Sequence, residues 1–261
     1  MAEMDLEEVW VLCRDVLENG APLVLNEELR ALLSGAARQV AVLQRDAEDA
    51  LRDHATAMTL LREIHRRIGA GSDRLDEARE RVNELQQQGD FDGAQRVLRD
   101  VLAVEVVPFY RTQAERLLEK SVGLGVVLAT GRLDPNLPDR PQLAALSLRV
   151  QQGHLLESTD GLRDLLRRTA PTAGVSETET EEALARPDGA EALMGMVLAR
   201  FRDARRRFLG AMCRMTSLRD SGDLEGARQQ MRDVLAVEVV PRFREAAGEQ
   251  LQGLERPPPE S

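Results

Sequence analysis

Leu6, Val9, Trp10, Cys13, Val16 and Leu17 recur at intervals of three and four, the spacing of one helix face, and Asn19-Gly20 supplies a left-handed stop after them. Leu29, Leu32 and Leu33 form a second stripe, and Asp46-Ala47-Glu48-Asp49 reads as a short acidic turn leading to Leu51. Ala57, Leu60, Leu61, Ile64 and Ile68 predict a longer helix closed by Gly69-Ala70-Gly71, after which Ser72 or Asp73 can cap a new helix through Leu75, Ala78, Val82 and Leu85. Gly89 ends that helix. Phe91, Ala94, Leu98, Val101 and Leu102 stripe the next, and Pro108 suits the first turn of one holding Tyr110, Ala114, Leu117 and Leu118. No stretch alternates apolar and polar residues convincingly, and the one β-branched cluster, Val104-Glu105-Val106-Val107, is short and runs straight into proline. The expected fold class is all-α.

The same pattern is written twice. The ten residues Arg99 to Pro108 reappear letter for letter as Arg232 to Pro241, an offset of 133 positions. Without any gap, that offset also places Gly20 on Gly153, Leu29 on Leu162, Leu32-Leu33 on Leu165-Leu166, Glu48 on Glu181, Leu51 on Leu184, Leu60 on Leu193 and Gly89-Asp90 on Gly222-Asp223. The repeating unit is too long for a solenoid repeat and suits a small domain. The expected organisation is two tandem helical-bundle domains related by internal duplication, at 1–121 and 142–254, the second with a degenerate front half. A Pro/Gly-rich linker at 122–141 joins them, and a disordered tail at 255–261 follows.

Composition narrows the chemistry. Of the 261 residues 43% are apolar and 31% charged, enough to build a core. Aromatics make up only 3%, which leaves little for base-stacking platforms, and a net charge of -10 repels phosphate polyanions unless a basic face is segregated. The one lysine, Lys120, lacks the preceding glycines of a phosphate-cradling loop. The acidic start Met1-Ala2-Glu3-Met4-Asp5 is unlike a secretory signal, and no apolar run approaches the roughly 18 residues of a membrane span, so the expected setting is cytoplasmic. Cys13 and Cys213 are too few for a disulfide framework and are expected as free thiols.

The string from Arg219 to Pro241, Arg-Asp-Ser-Gly-Asp-Leu-Glu-Gly-Ala-Arg-Gln-Gln-Met-Arg-Asp-Val-Leu-Ala-Val-Glu-Val-Val-Pro, closely resembles the DUSAM domain of myxobacterial proteins. Trp10, Leu23-Val24-Leu25, Arg38-Gln39-Val40-Ala41-Val42, Asp46-Ala47-Glu48, Leu60 to Ile64 and Arg66-Arg67-Ile68 look like the front half of the same domain. The second copy departs there, with Leu143 for Trp10 and Ala170-Pro171-Thr172-Ala173-Gly174-Val175 for Ala37 to Val42, and shorter or looser first helices are expected. The resemblance implies no substrate, cofactor or catalytic residue. Leu85 to Leu102 also resembles half a tetratricopeptide hairpin, but no array of roughly 34-residue repeats follows.

Glu105 and Glu238 sit among valines, where a raised pKa could make a general base. The simpler expectation is structural ion pairing with Arg111 and Arg244, which correspond at the same offset. Arg200, Arg202, Arg205, Arg206 and Arg207 form the one basic run, expected as a solvated helix face because Phe201 and Phe208 share one side and Asp203 dilutes the charge. His54 and His65 stand about 16 Å apart along a helix at 1.5 Å per residue, and His154 has no ligand neighbour, so no metal or other cofactor is expected.

The expectation for function is a non-enzymatic protein-protein interaction or scaffold module with protein partners, since duplication multiplies binding surfaces without new chemistry. Two alternatives are a nucleic-acid-associated regulator using the Arg200 to Arg207 face, and an enzyme whose acid is Glu105 or Glu238. Nucleic acid is disfavoured as a partner by the charge, and a membrane by the absence of a span.

Overall fold

Asn26, Asp90, Thr159 and Asp223 each turn a side-chain oxygen onto the backbone N–H three residues ahead, at 2.7 to 3.2 Å, and each opens a helix. The computed structural model describes residues 6–255, and among them are twelve α-helices, one 3-10 turn and no strand. The chain divides into two compact units, Met1–Gly125 and Val126–Ser261. The helices are α1 (Leu6–Leu17), α2 (Glu27–Gln39), α3 (Gln44–Ala50), α4 (His54–Gln87), α5 (Phe91–Val104) and α6 (Pro108–Thr130). They continue as α7 (Asp139–Gln151), α8 (Asp160–Thr169), a 3-10 turn (Pro171–Ala173), α9 (Glu177–Leu184), α10 (Gly189–Asp220), α11 (Leu224–Val237) and α12 (Pro241–Glu255).

Five of the six helix starts recur at the offset of 133: 6 and 139, 27 and 160, 44 and 177, 91 and 224, 108 and 241. The sixth slips for a local reason. Asp53 caps α4 by accepting from Ala55 and Thr56, whereas the corresponding residue, Arg186, has no acceptor to offer, and α10 begins later, at Gly189. The all-α, duplicated architecture therefore holds, and two side-chain caps recur with it, Asn26 as Thr159 and Asp90 as Asp223. In the first unit Leu33, Leu61, Ile64, Leu75 and Leu98 are fully buried; in the second Leu165, Leu166, Leu193, Met194 and Met231 are. Each such side chain contributes about 1.5–3 kcal/mol.

Four local expectations are corrected. The acidic stretch 46–49 lies inside α3 rather than in a turn. Gly69-Ala70-Gly71 does not break α4, which runs on for 34 residues, because at these positions the glycines serve packing: a Cβ on Gly71 would overlap the Tyr110 ring, and one on Gly69 would touch Trp10. Residues 122–130 of the expected linker are helical, continuing α6 to Thr130, and the irregular stretch narrows to 131–138. There the buried side chain of Gln142 accepts from Asp134 N and donates to the carbonyls of Asp134 and Leu137, fixing the proline-bearing turn.

The front of the second unit is not looser either. Only α8 is cut short, where Pro171 follows and the backbone tightens into the 3-10 turn. Trp10, stacked on His65 at 4.5 Å in the first unit, is replaced by the fully buried Leu143 in the second. Residues 256–261 of the expected tail, like the side chain of Leu6, lie outside the described residues.

Candidate functional site

The connection between α5 and α6, and its counterpart between α11 and α12, inverts the usual arrangement of polar and apolar groups. Glu105 and Glu238 are 3% and 2% exposed, while the valines on either side are open: Val104 59% and Val106 55%, Val237 59% and Val239 55%. The reason is geometric. Both segments leave the helix in extended backbone at the glutamate, where neighbouring side chains point to opposite sides, so the inward glutamate turns Val106 or Val239 out, while Val104 and Val237 close the exposed end of the helix itself. Pro108 and Pro241 then start the next helix, where a missing N–H costs nothing.

Each buried carboxylate is fully engaged. One oxygen of Glu105 accepts from Val107 N at 2.7 Å and the other from the Arg74 guanidinium. Glu238 repeats this with Val240 N at 2.8 Å and Arg207 at 2.7 Å. The expected partners, Arg111 and Arg244, do not pair with these carboxylates. They reach back to main-chain carbonyls instead, Arg111 to Leu102 and Glu105 at 2.9 and 3.3 Å, Arg244 to Leu235 and Glu238 at 2.7 and 3.3 Å. Proximity in sequence pointed to the wrong arginine because it ignores the long helix packed alongside. The signal that identifies Arg74 and Arg207 is that they, too, recur at the offset of 133.

A third arginine completes the set. Arg67 donates to the carbonyls of Val40 and Ala41, both at 2.8 Å, and Arg200 to those of Ala173 and Gly174 at 3.5 and 2.6 Å. The turns they hold are the same Schellman motif, with Val42 N bonded to Ala37 O and Val175 N to Ala170 O, although the sequences of the two turns have diverged. Ala41 and Gly174 occupy the left-handed position, with φ of 60° and 73°.

The expected basic face thus thins out. Arg200 and Arg207 bind inside the fold; Arg202 and Arg206 lie 3.5 and 2.8 Å from Asp203; Arg205 is exposed. Cys13 is fully buried and burial pushes its thiol up to about 11, while Cys213 is exposed. Among the described residues no group of three or more His, Cys, Asp or Glu is arranged to hold a metal, and no helix is long and apolar enough to cross a membrane.

Beside Glu105 lies a cleft of about 280 Å³, lined by Val104, Val106, Arg66, Arg67, Ala70 and Arg74 among others. Its rim couples exposed apolar groups to guanidinium groups, a surface suited to an apolar side chain flanked by acids.

A family model described as "Protein of unknown function (DUF2379)" matches residues 4–120 and again 138–254. No curated protein and no solved structure matches the chain.

Proposed function

Since the chain belongs, twice over, to the family of proteins of unknown function DUF2379, we propose that it is a non-enzymatic, cytoplasmic interaction module that engages protein partners through the valine pairs flanking Glu105 and Glu238. The same reading takes each copy as a domain of the DUSAM type found in myxobacterial proteins, on the string from Arg219 to Pro241. The observation that carries the reading is the matched exposure of Val104 and Val237, and of Val106 and Val239. Folding alone gains little from four open valines, and keeping them in both copies makes sense if something covers them. The cleft beside Val104 and Val106, with Arg66 and Arg74 on its wall, favours a partner segment that sets an apolar residue among acidic ones.

The engagement of both oxygens of each glutamate argues against the alternative in which Glu105 or Glu238 is a catalytic acid. The commitment of Arg200 and Arg207 to internal bonds weighs against a nucleic-acid face.

The test is capture from the native cells with the full chain as bait, in parallel with V104S/V106S and V237S/V239S. A partner retained by the wild type and lost from at least one double variant of unchanged melting temperature supports the reading. A partner set identical for all three baits sinks it.

A further inference from the structure

We infer that the second unit holds a binding site for a small aromatic phosphate monoester, in the groove that Arg140, Phe201 and Arg242 line. The groove measures about 720 Å³, and Pro141, Pro171 and Pro241 give it an apolar lining. That size falls within the range of small-molecule clefts.

Charge is the first argument. Among the described residues no carboxylate stands within ion-pair distance of Arg140, Arg242 or the neighbouring Arg205, whereas the adjacent Asp139 is held by Arg168 at 3.1 Å. Glu245 also lines the groove, so one acid faces the two lining cations, Arg140 and Arg242, while Arg205 adds its charge near Arg140. Partial burial and the charges of Arg242 and Arg205 hold the Arg140 guanidinium below its ordinary value. Guanidinium groups that outnumber the one carboxylate beside them, and pair with none, are a geometry that an incoming dianion relieves, through forked hydrogen bonds that match phosphate oxygens. The first turns of α7 and α12, which carry Arg140 and Arg242, add the positive ends of two helix dipoles.

Shape is the second. The Phe201 ring is almost buried and lies 4.8 Å from the Arg140 guanidinium carbon, so a flat cation is stacked over a flat floor. A planar ring carrying the phosphate can rest against the prolines while its oxygens reach the arginines. The third argument is the comparison that the duplication itself provides. At the positions equivalent to Arg140, Phe201, Arg205 and Arg242 the first copy has Glu7, Ile68, Ser72 and Phe109. The shared fold therefore does not require the cluster, which belongs to the second copy alone.

Calorimetric titration of the full chain with phenyl phosphate, inorganic phosphate and phenol tests this. One phenyl phosphate should bind per chain, inorganic phosphate at least about tenfold more weakly, and phenol without measurable heat. R140Q/R242Q should weaken phenyl phosphate about tenfold or more while the unliganded protein keeps or raises its melting temperature, because a repulsion has been removed. R242Q alone, at an exposed position, gives the same reading should the double variant fold poorly, and R206Q should leave the titration unchanged. No heat with phenyl phosphate, equal affinity for inorganic phosphate, or an unaltered titration in both R140Q/R242Q and R242Q would overturn the site.

Discussion

Arg207, in the middle of α10, donates to the Glu238 carboxylate at 2.7 Å across 31 residues of sequence, and Arg74 meets Glu105 across the same separation. This pairing, rather than the bend at Pro241, anchors the inward glutamate. Glu238→Gln keeps an acceptor for Val240 N but discards the charge. Because the Arg207 side chain is 40% exposed, the guanidinium left behind can hydrate. The cost is then that of a charged hydrogen bond, about 1.5–3 kcal/mol, below that of stranding a buried ion. Thermal unfolding of Glu238→Gln should show a lowered midpoint, and a wild-type midpoint would refute the assignment.

Ala41 and Gly174 offer a reciprocal experiment at one left-handed position. An L-residue there is strained by roughly 1–2 kcal/mol, and glycine gives back roughly 0.5–1 kcal/mol in unfolded-state entropy. Ala41→Gly should therefore stabilise the first unit by up to about 1.5 kcal/mol in urea unfolding. Gly174→Ala should destabilise the second by more than about 2 kcal/mol, since the new Cβ would also overlap the Val239 carbonyl. Equal and opposite effects would show that the overlap is relieved at no cost.

Acid should weaken the protein below the ordinary carboxylate range. Hydrogen bonding from Arg66, reinforced by Arg67, lowers Glu63 from 4.5 to about 2. Glu179, Glu181 and Glu225 are also lowered, through the Ser176 backbone, Arg167 and Arg232 respectively. A carboxylate lowered by folding contributes its full stabilisation above its unfolded pKa and loses it as pH falls through the folded one. The melting temperature should fall between about pH 4.5 and about pH 2, and Glu63→Gln should both lower it at neutral pH and flatten that slope. A slope unchanged in Glu63→Gln would assign the acid sensitivity to other groups.

The helical class and the duplication were legible because they rest on spacing and identity, which a sequence displays directly. What it hid depends on packing. Gly69 and Gly71 look like a helix stop, yet the rings of Trp10 and Tyr110 use their bareness for close approach inside one continuous helix. The apolar setting of Glu105 is plain in the sequence, but its partner sits a helix away, and only the recurrence of Arg74 as Arg207 marks it. The divergence of Pro171 to Val175 from Arg38 to Val42 read as degeneration, although the hydrogen-bonding of the turn survives it intact. The open valines were invisible in a string that looks uniformly apolar, because only the extended backbone reveals which member of Val-Glu-Val faces in.

The ten-residue identity from Arg99 to Pro108 and from Arg232 to Pro241 spans the last turns of α5 and α11, their exits and the opening residue of the helix that follows each. Joining residues 1–108 directly to residues 242–255 would remove one whole period of 133 residues and connect the first copy's leading helices to the second copy's closing helix in phase. A chain shortened or lengthened by whole periods at that tract keeps the Val-Glu-Val-Val-Pro exit unbroken at each junction.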